Sequence, residues 1–155
     1  MKLSGEIVLM HSKLYFPNFN TMFHAPYITK DFIGKKLTIE KIFNAPLAKI
    51  WRAHTDDTIM AKWWGPKEWP ATSISFDFRE GGHWHYCMTG PDGTEACGWV
   101  DYLEIDPMKS YRGKDCFADK QGNKSTELPS NNWLTRFEDL GEQTKIIVEL
   151  SFEET

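Results

Sequence analysis

Hydrophobic and polar residues alternate with a period of two over most of the chain, and the exceptions are short. Between Lys36 and Phe43, Leu37 and Ile39 alternate with Thr38 and Glu40, as in a strand with one buried face. Asn44-Ala45-Pro46 ends that strand, with Asn44 placed to cap a helix and Pro46 in its first turn, where a missing N–H is harmless. Leu47, Ile50, Trp51, Ala53 and His54 then recur at helical spacing, which predicts a short amphipathic helix over 46–54. Thr55-Asp56-Asp57 opens a second helix with Ile59, Met60, Trp63 and Trp64 on its apolar side, and Gly65-Pro66 stops it. Beyond Pro70 the period returns to two, setting Thr72, Ile74, Phe76 and Phe78 as a buried face against Ser73, Ser75, Asp77 and Arg79. After the Gly81-Gly82 turn, Trp84, Tyr86 and Met88 alternate with His83, His85 and Cys87. Gly90-Pro91-Asp92-Gly93 then closes a hairpin into a strand over 94–105. Segments 108–117, 132–138 and 144–152 read as three more strands, separated by polar turns at 119–123 and 140–143. The expectation is an α+β domain of about seven antiparallel strands, with two short helices inserted after the first. Residues 1–35 carry scattered aromatics, Pro17 and Pro26 but no sustained period, and read as an N-terminal extension packing irregularly against a body at 36–155.

Composition narrows the class. At 155 residues, 41% hydrophobic and 26% charged, the chain suits one globular domain. No apolar run approaches the ~18 residues of a membrane helix, and the apolar start from Leu3 to Met10 is broken by Gly5 and Glu6, so neither a span nor a signal peptide is expected. Cys87, Cys97 and Cys116 are odd in number and lack CxxC spacing. They imply neither a disulfide framework nor a zinc knuckle, and a reducing cytoplasm fits them best. The net charge of −4 divides unevenly: residues 1–35 carry four lysines against Glu6 and Asp31, and the acidic excess lies in the rest. Without a basic stripe to neutralise phosphates, nucleic-acid binding loses its main source of affinity. Seven tryptophans are the outlier, and they suit either a heavily packed core or an aromatic-lined cavity.

Few residues carry chemistry. His83, His85 and Cys87 would line one strand face at intervals of about 6.6 Å, and they are good ligand types for a borderline metal. A straight row does not converge tetrahedrally, and Trp84, Tyr86 and Met88 have the better claim to the buried face, so the favoured reading is a solvated outer face without metal. His54 lies beside Asp56 and Asp57, as a proton-transfer pair or, more simply, as a histidine favoured by a helix C-terminus. Glu95 shares a strand face with Cys97 and Trp99. Facing inward it would orient a polar ligand, and facing outward it is an edge charge. No nucleophile elbow, phosphate-cradling loop, HExxH or dinucleotide fingerprint occurs, so no catalytic residue, metal or cofactor is assigned.

Several ordered blocks are shared with a known family: Phe43-Asn44-Ala45-Pro46; Ile50-Trp51-Arg52-Ala53 with Thr55-Asp56; Trp63-Trp64-Gly65-Pro66-Lys67; Gly81-Gly82 with Trp84, Tyr86 and Met88; Gly90-Pro91-Asp92-Gly93; Tyr102-Leu103-Glu104-Ile105 with Pro107; and Phe117-Ala118-Asp119 with Gly122-Asn123. Over residues 36–155 the chain resembles the activator of heat-shock-protein-90 ATPase homologue family, a branch of the START-like SRPBCC superfamily. The resemblance implies a helix-grip, Bet v 1-like fold, in which a curved antiparallel sheet wraps a long C-terminal helix around an apolar cavity. The sequence departs from that pattern by stopping at Glu153-Glu154-Thr155, before such a helix. The expectation is a sequence shorter than the natural protein's, the alternatives being a concave face covered by a second chain, as in a homodimer, or by residues 1–35. The family arrangement would gather Trp64, Trp99 and Trp133 around the space faced by Trp84, Tyr86 and Met88, with Glu95 among the polar candidates, as ligand wall or as plain core. The function implied is non-catalytic, cytoplasmic binding of a small hydrophobic or amphipathic molecule. The alternatives are a protein-interaction module with a chaperone partner, and a cyclase- or hydrolase-like enzyme using His54 or Glu95 as general base.

Overall fold

The computed structural model describes residues 27–152. Eight strands form one antiparallel sheet in the order β1-β2-β8-β7-β6-β5-β4-β3. They are β1 (Tyr27–Asp31), β2 (Lys36–Phe43), β3 (Ala71–Phe76), β4 (His83–Thr89), β5 (Glu95–Asp106), β6 (Ser110–Ala118), β7 (Asn131–Asp139) and β8 (Thr144–Phe152). Two helices, α1 (Leu47–Thr55) and α2 (Asp57–Trp63), carry the chain from β2 to β3 at the far edge. From β3 the strands follow one another as a meander, until β8 inserts beside β2 with Leu37 opposite Leu150 and Ile39 opposite Val148.

Both helices cover the inner face, where the core sits. Leu37, Ile39 and Phe43 from β2, Trp84, Tyr86 and Met88 from β4, Val100 and Tyr102 from β5, Tyr111 from β6, and Trp133 and Phe137 from β7 are buried there. Ile146, Val148 and Leu150 from β8 join them, with Ile50, Met60, Trp63 and Trp64 from the helical segment above. The alternation read from the sequence is therefore the burial pattern of the sheet. The α+β helix-grip class holds, with a curved antiparallel sheet and two short helices; residues 1–26 and 153–155 fall outside the described residues.

Four details differ from the sequence reading. Residues 27–31, inside the supposed irregular extension, form β1, which pairs with β2 from Tyr27 opposite Glu40 to Asp31 opposite Lys36. The first helix has Pro46 at its cap position with no side-chain cap, whereas the second is capped by Asp56, which accepts a hydrogen bond from Thr58 N at 3.1 Å. In β3 the register shifts between Ser73 and Ser75. Ala71, Ser73 and Phe76 consequently stand opposite Met88, Tyr86 and Trp84 on the inner face, while the extra residue, Ile74, is 50% exposed. A matching shift between Tyr102 and Glu104 turns Leu103 out to 47% exposure. The fourth is a disulfide, Cys87–Cys97, with Cys116 left as a thiol. Cys87 and Cys97 are direct partners across β4 and β5. The hydrogen bonds Gly90 N to Thr94 O and Tyr102 N to Gly82 O fix the phase of that ladder, and alternation makes Cys87–Cys97 a non-hydrogen-bonded pair, the kind whose side chains approach most closely. A bonded pair removes the ground on which the cysteines were read as favouring a reducing compartment.

Candidate functional site

Five of the seven aromatic, Met and Glu residues expected at a ligand wall meet on the inner face. Trp84 and Tyr86, two apart on β4 and on the same side, stack with ring centroids 4.3 Å apart. Trp64, just after α2, lies against both, edge-on, at 5.0 Å from Trp84 and 5.9 Å from Tyr86. Met88 continues the same row, and Trp133 lies on the same face further round the sheet, on β7, with its ring centre 5.2 Å from that of Tyr111. The sheet makes room for the two large rings by placing glycine beneath them. A Cβ on Gly98 would stand 2.5 Å from the Tyr86 hydroxyl, and one on Gly113 2.5 Å from Cζ2 of Trp133. Gly98 is the cross-strand partner of Tyr86, and Gly113 of Trp133, so each ring lies flat over its neighbour's bare backbone.

The other two expected residues are elsewhere. Trp99 is on the outer face, stacked on His83 at 4.4 Å, donating from Nε1 to Asp101 at 2.9 Å and covered by Lys124, whose Nζ is 5.1 Å from the ring centre. Glu95 is an exposed edge residue, ion-paired with Lys120 at 2.8 Å. Trp99 pairs with His85 and Cys116, and Glu95 with Thr89, which are outward positions. The outward phase of Cys97, Trp99 and Glu95 follows from the inward phase of Ala96, Gly98 and Val100.

His83, His85 and Cys87 do share the outer face, but that face is less solvated than the sequence reading had it. His85 and Cys87 are buried, because the turn after β6 lies over them and the Asp119 carbonyl bonds Nε2 of His85 at 2.9 Å. His83 Nε2 is engaged with Ser75 Oγ at 2.8 Å, and Cys87 is in the disulfide. Among the described residues no group of three or more His, Cys, Asp or Glu side chains is arranged to hold a metal ion.

His54 departs furthest from expectation. Its ring points away from solvent into an aromatic nest, 4.8 Å from Trp63 and 5.1 Å from Phe137, and its Nδ1 is 2.7 Å from the Tyr111 hydroxyl. Burial pulls its pKa down to about 3, so the ring is neutral, gains nothing from a helix dipole as a cation, and is a weak base. Asp56 is occupied in capping α2 and faces Arg52 at 3.5 Å. Burial likewise pushes the phenols of Tyr86, Tyr102 and Tyr111 above their ordinary range, with the Asp115 carboxylate adding to the effect on Tyr86.

Sequence reasoning missed the polar members of the inner face: Lys41, Asp115, Asn131 and Thr135, all buried. Register puts them there, since Asp115 pairs with Val100 and Asn131, Thr135 with Tyr111 and Val148, and Lys41 with Ile146. The signal was available: counting in twos from Trp133 reaches Asn131 and Thr135. Desolvation lowers the pKa of Lys41, whose Nζ lies 5.1 Å from the Phe43 ring centre. Trp133 Nε1 is buried with no hydrogen-bond partner among the described residues, an uncompensated donor on the inner face. On the outer face a shallow hollow of about 90 Å³ lies between Lys36, Arg112, Asn132, Leu134, Glu149 and Ser151. Its lining is mostly polar and also includes Trp133 and Leu150.

Comparison with known proteins places this architecture. The family model described as "Activator of Hsp90 ATPase homolog 1-like protein" matches residues 44–155. A solution structure of a protein from Arthrobacter aurescens is 33% identical, superposes with a TM-score of 0.78, and covers 83% of this chain and 74% of its own. A crystal structure of a protein from Mycobacterium smegmatis is 32% identical, with a TM-score of 0.75 over 83% of this chain and 79% of that one. A Staphylococcus epidermidis protein at 24% identity and a TM-score of 0.74 shares the fold. None of the curated proteins matches.

Proposed function

This chain belongs to the Activator of Hsp90 ATPase homolog 1-like family, and from that membership together with the inner wall we propose that it binds a small hydrophobic or amphipathic molecule without transforming it. The observation that carries the reading is the wall itself. Trp84, Tyr86, Met88 and Trp133 share one sheet face, Trp64 lies over it from the end of α2, and Trp133 offers an indole N–H that no group among the described residues satisfies. Apolar walls with a few fixed polar atoms are the usual composition of small-molecule sites. Apolar ligand surface removed from water would supply affinity at about 25 cal/mol per Å², and an acceptor on the ligand would satisfy Trp133. Neither general-base candidate supports chemistry at this wall: His54 is held neutral and hydrogen-bonded to Tyr111, and Glu95 is on the surface with Lys120.

Native mass spectrometry of the purified protein, set against its denatured mass, tests the proposal. Extra mass of a small molecule that is lost on denaturation, or quenching of tryptophan fluorescence by members of a lipid and aromatic panel, is the expected outcome. Trp133→Phe keeps the ring and removes the N–H, and is expected to weaken an acceptor-bearing ligand about tenfold while leaving the fold intact. A bare chain whose fluorescence no panel member changes would defeat the proposal, and a bare dimer would favour the protein-interaction reading.

A further inference from the structure

The disulfide between Cys87 and Cys97 joins the two strands directly behind the aromatic wall. Alternation puts Cys87 between Tyr86 and Met88, which face inward, and Cys97 between Ala96 and Gly98, the glycine over which the Tyr86 ring lies. A bond on the outer face thus sets the strand spacing at the point where the inner face seats Tyr86. The two Cα atoms are 3.9 Å apart, against about 4.5 Å for an unlinked pair in a non-hydrogen-bonded position. Two thiols do not hold that spacing, because unbonded sulfur atoms stand well beyond the covalent separation. The pair is buried beneath the turn that follows β6, which is tied down by polar contacts: the Asp119 carbonyl with His85 Nε2 at 2.9 Å, Lys120 with Glu95 at 2.8 Å and Lys124 with Asp101 at 2.6 Å. Both ion pairs are partly exposed, the kind of contact that contributes least to stability, so this strap lifts by local opening while the sheet stays paired. The fold does not need the bond to form the hairpin. Seven residue pairs run from His83 opposite Asp101 to Thr89 opposite Glu95, and β3 and β6 hold the two strands from either side.

We propose that the Cys87–Cys97 bond is a reversible redox latch on the wall: intact, it holds β4 and β5 at the spacing that seats Tyr86 over Gly98, and its reduction by a dithiol lets the strands part there and weakens binding at the wall. The effect on binding rests on the reading of the wall as a ligand site, whereas the latch itself does not. The exchange balances with the dithiol as reductant. One of its thiolates attacks a sulfur of the pair, the Cys87–Cys97 bond breaks and a mixed disulfide forms. The second thiolate then closes the reductant's own disulfide and releases the protein sulfur, so two electrons and two protons pass to Cys87 and Cys97. Cys116 lies opposite Trp99 on the same outer face and remains a thiol in both states.

Hydrogen exchange read by mass spectrometry on the full chain, oxidised and after native treatment with dithiothreitol, is the test. Under native conditions the reductant is expected to add two alkylatable thiols, and oxidised glutathione to remove them again. Exchange over residues 84–88 and 96–100 is expected to quicken about tenfold on reduction while residues 131–139 and 144–152 keep their rates. The dissociation constant of the neutral apolar fluorophore N-phenyl-1-naphthylamine is expected to rise about fivefold in parallel, as the wall loses its preset shape. Cys87→Ser with Cys97→Ser is expected to behave as the reduced protein without any reductant, and Lys120→Ala to speed reduction about threefold by freeing the strap. A bond that yields to dithiothreitol only in denaturant overturns the proposal, as do exchange rates that are equal in the two states or that rise throughout the sheet. A fluorophore that binds both states equally tightly overturns the control of binding. One that binds neither state, with the local exchange difference present, defeats the wall as a ligand site and supports the latch.

Discussion

His54 shows how far a residue's environment can carry it from its sequence context. Beside Asp56 and Asp57 in the chain, it reads as a surface histidine at a helix end. In the fold it is neutral among Trp63, Tyr111 and Phe137, with a pKa pulled down to about 3. The folded state therefore refuses a proton that the unfolded state accepts near its ordinary value of 6.5. Above that pH neither state is protonated and the stability is whole. As pH falls from about 6.5 toward 3 the unfolded state is favoured by about 1.4 kcal/mol per unit. Urea unfolding at pH 7 and pH 5 is expected to differ by about 2 kcal/mol on this account, and His54→Gln is expected to flatten the difference. The aromatic wall residues Trp84, Tyr86 and Met88 were legible because alternation along a single strand fixes their common side. Trp99 and Glu95 were not, since a lone strand read without its neighbour leaves the choice of face open. Their side follows only from the register that sets Gly98 beneath Tyr86.

At the scale of elements, the order of strands and helices was readable from period alone, and the differences have two local causes. One extra residue in each of β3 and β5 re-phases the strand beyond it, which sends Ile74 and Leu103 to the outer side although a strict count would bury Ile74. β1 escaped notice because all five of its positions are exposed, and a strand with no buried face has no hydrophobic signature. The β4–β5 hairpin hides a further relation, since the pairing of Cys87 with Cys97 needs the register of the turn at 90–93, which composition does not give. Alkylation of the denatured, unreduced protein followed by mass spectrometry is expected to label Cys116 alone, and all three cysteines after reduction. Closing so short a loop is expected to contribute about 2.5 kcal/mol, measurable as the difference between Cys87→Ser with Cys97→Ser and the parent in denaturant unfolding.

For the whole molecule, the helix-grip class came from the ordered blocks that run from Phe43 to Asn123, and the eight-stranded sheet with its two helices agrees with it. The candidate site was read as a set of rings, and its polar atoms were passed over although the same count in twos reaches Asn131 and Thr135 from Trp133. Lys41, Asn131 and Thr135 continue the inward count of Leu37, Ile39 and Trp133, and their polar side chains hide that phase. The strand order has a consequence in time. β8 is the last strand of the described chain, yet it lies inside the sheet, holding the β1–β2 hairpin on one side and β7 on the other. A chain emerging from the ribosome can form the meander from β3 to β7 early, but Leu37 and Ile39 must wait for Leu150 and Val148. Until then β2 and β7 both present unpaired edges beside an uncovered apolar face. Closure of the sheet thus waits for β8, so a fragment ending before Thr144 is expected to pellet as aggregate where the full chain stays dissolved, and synthesis itself passes through a stage that invites chaperones.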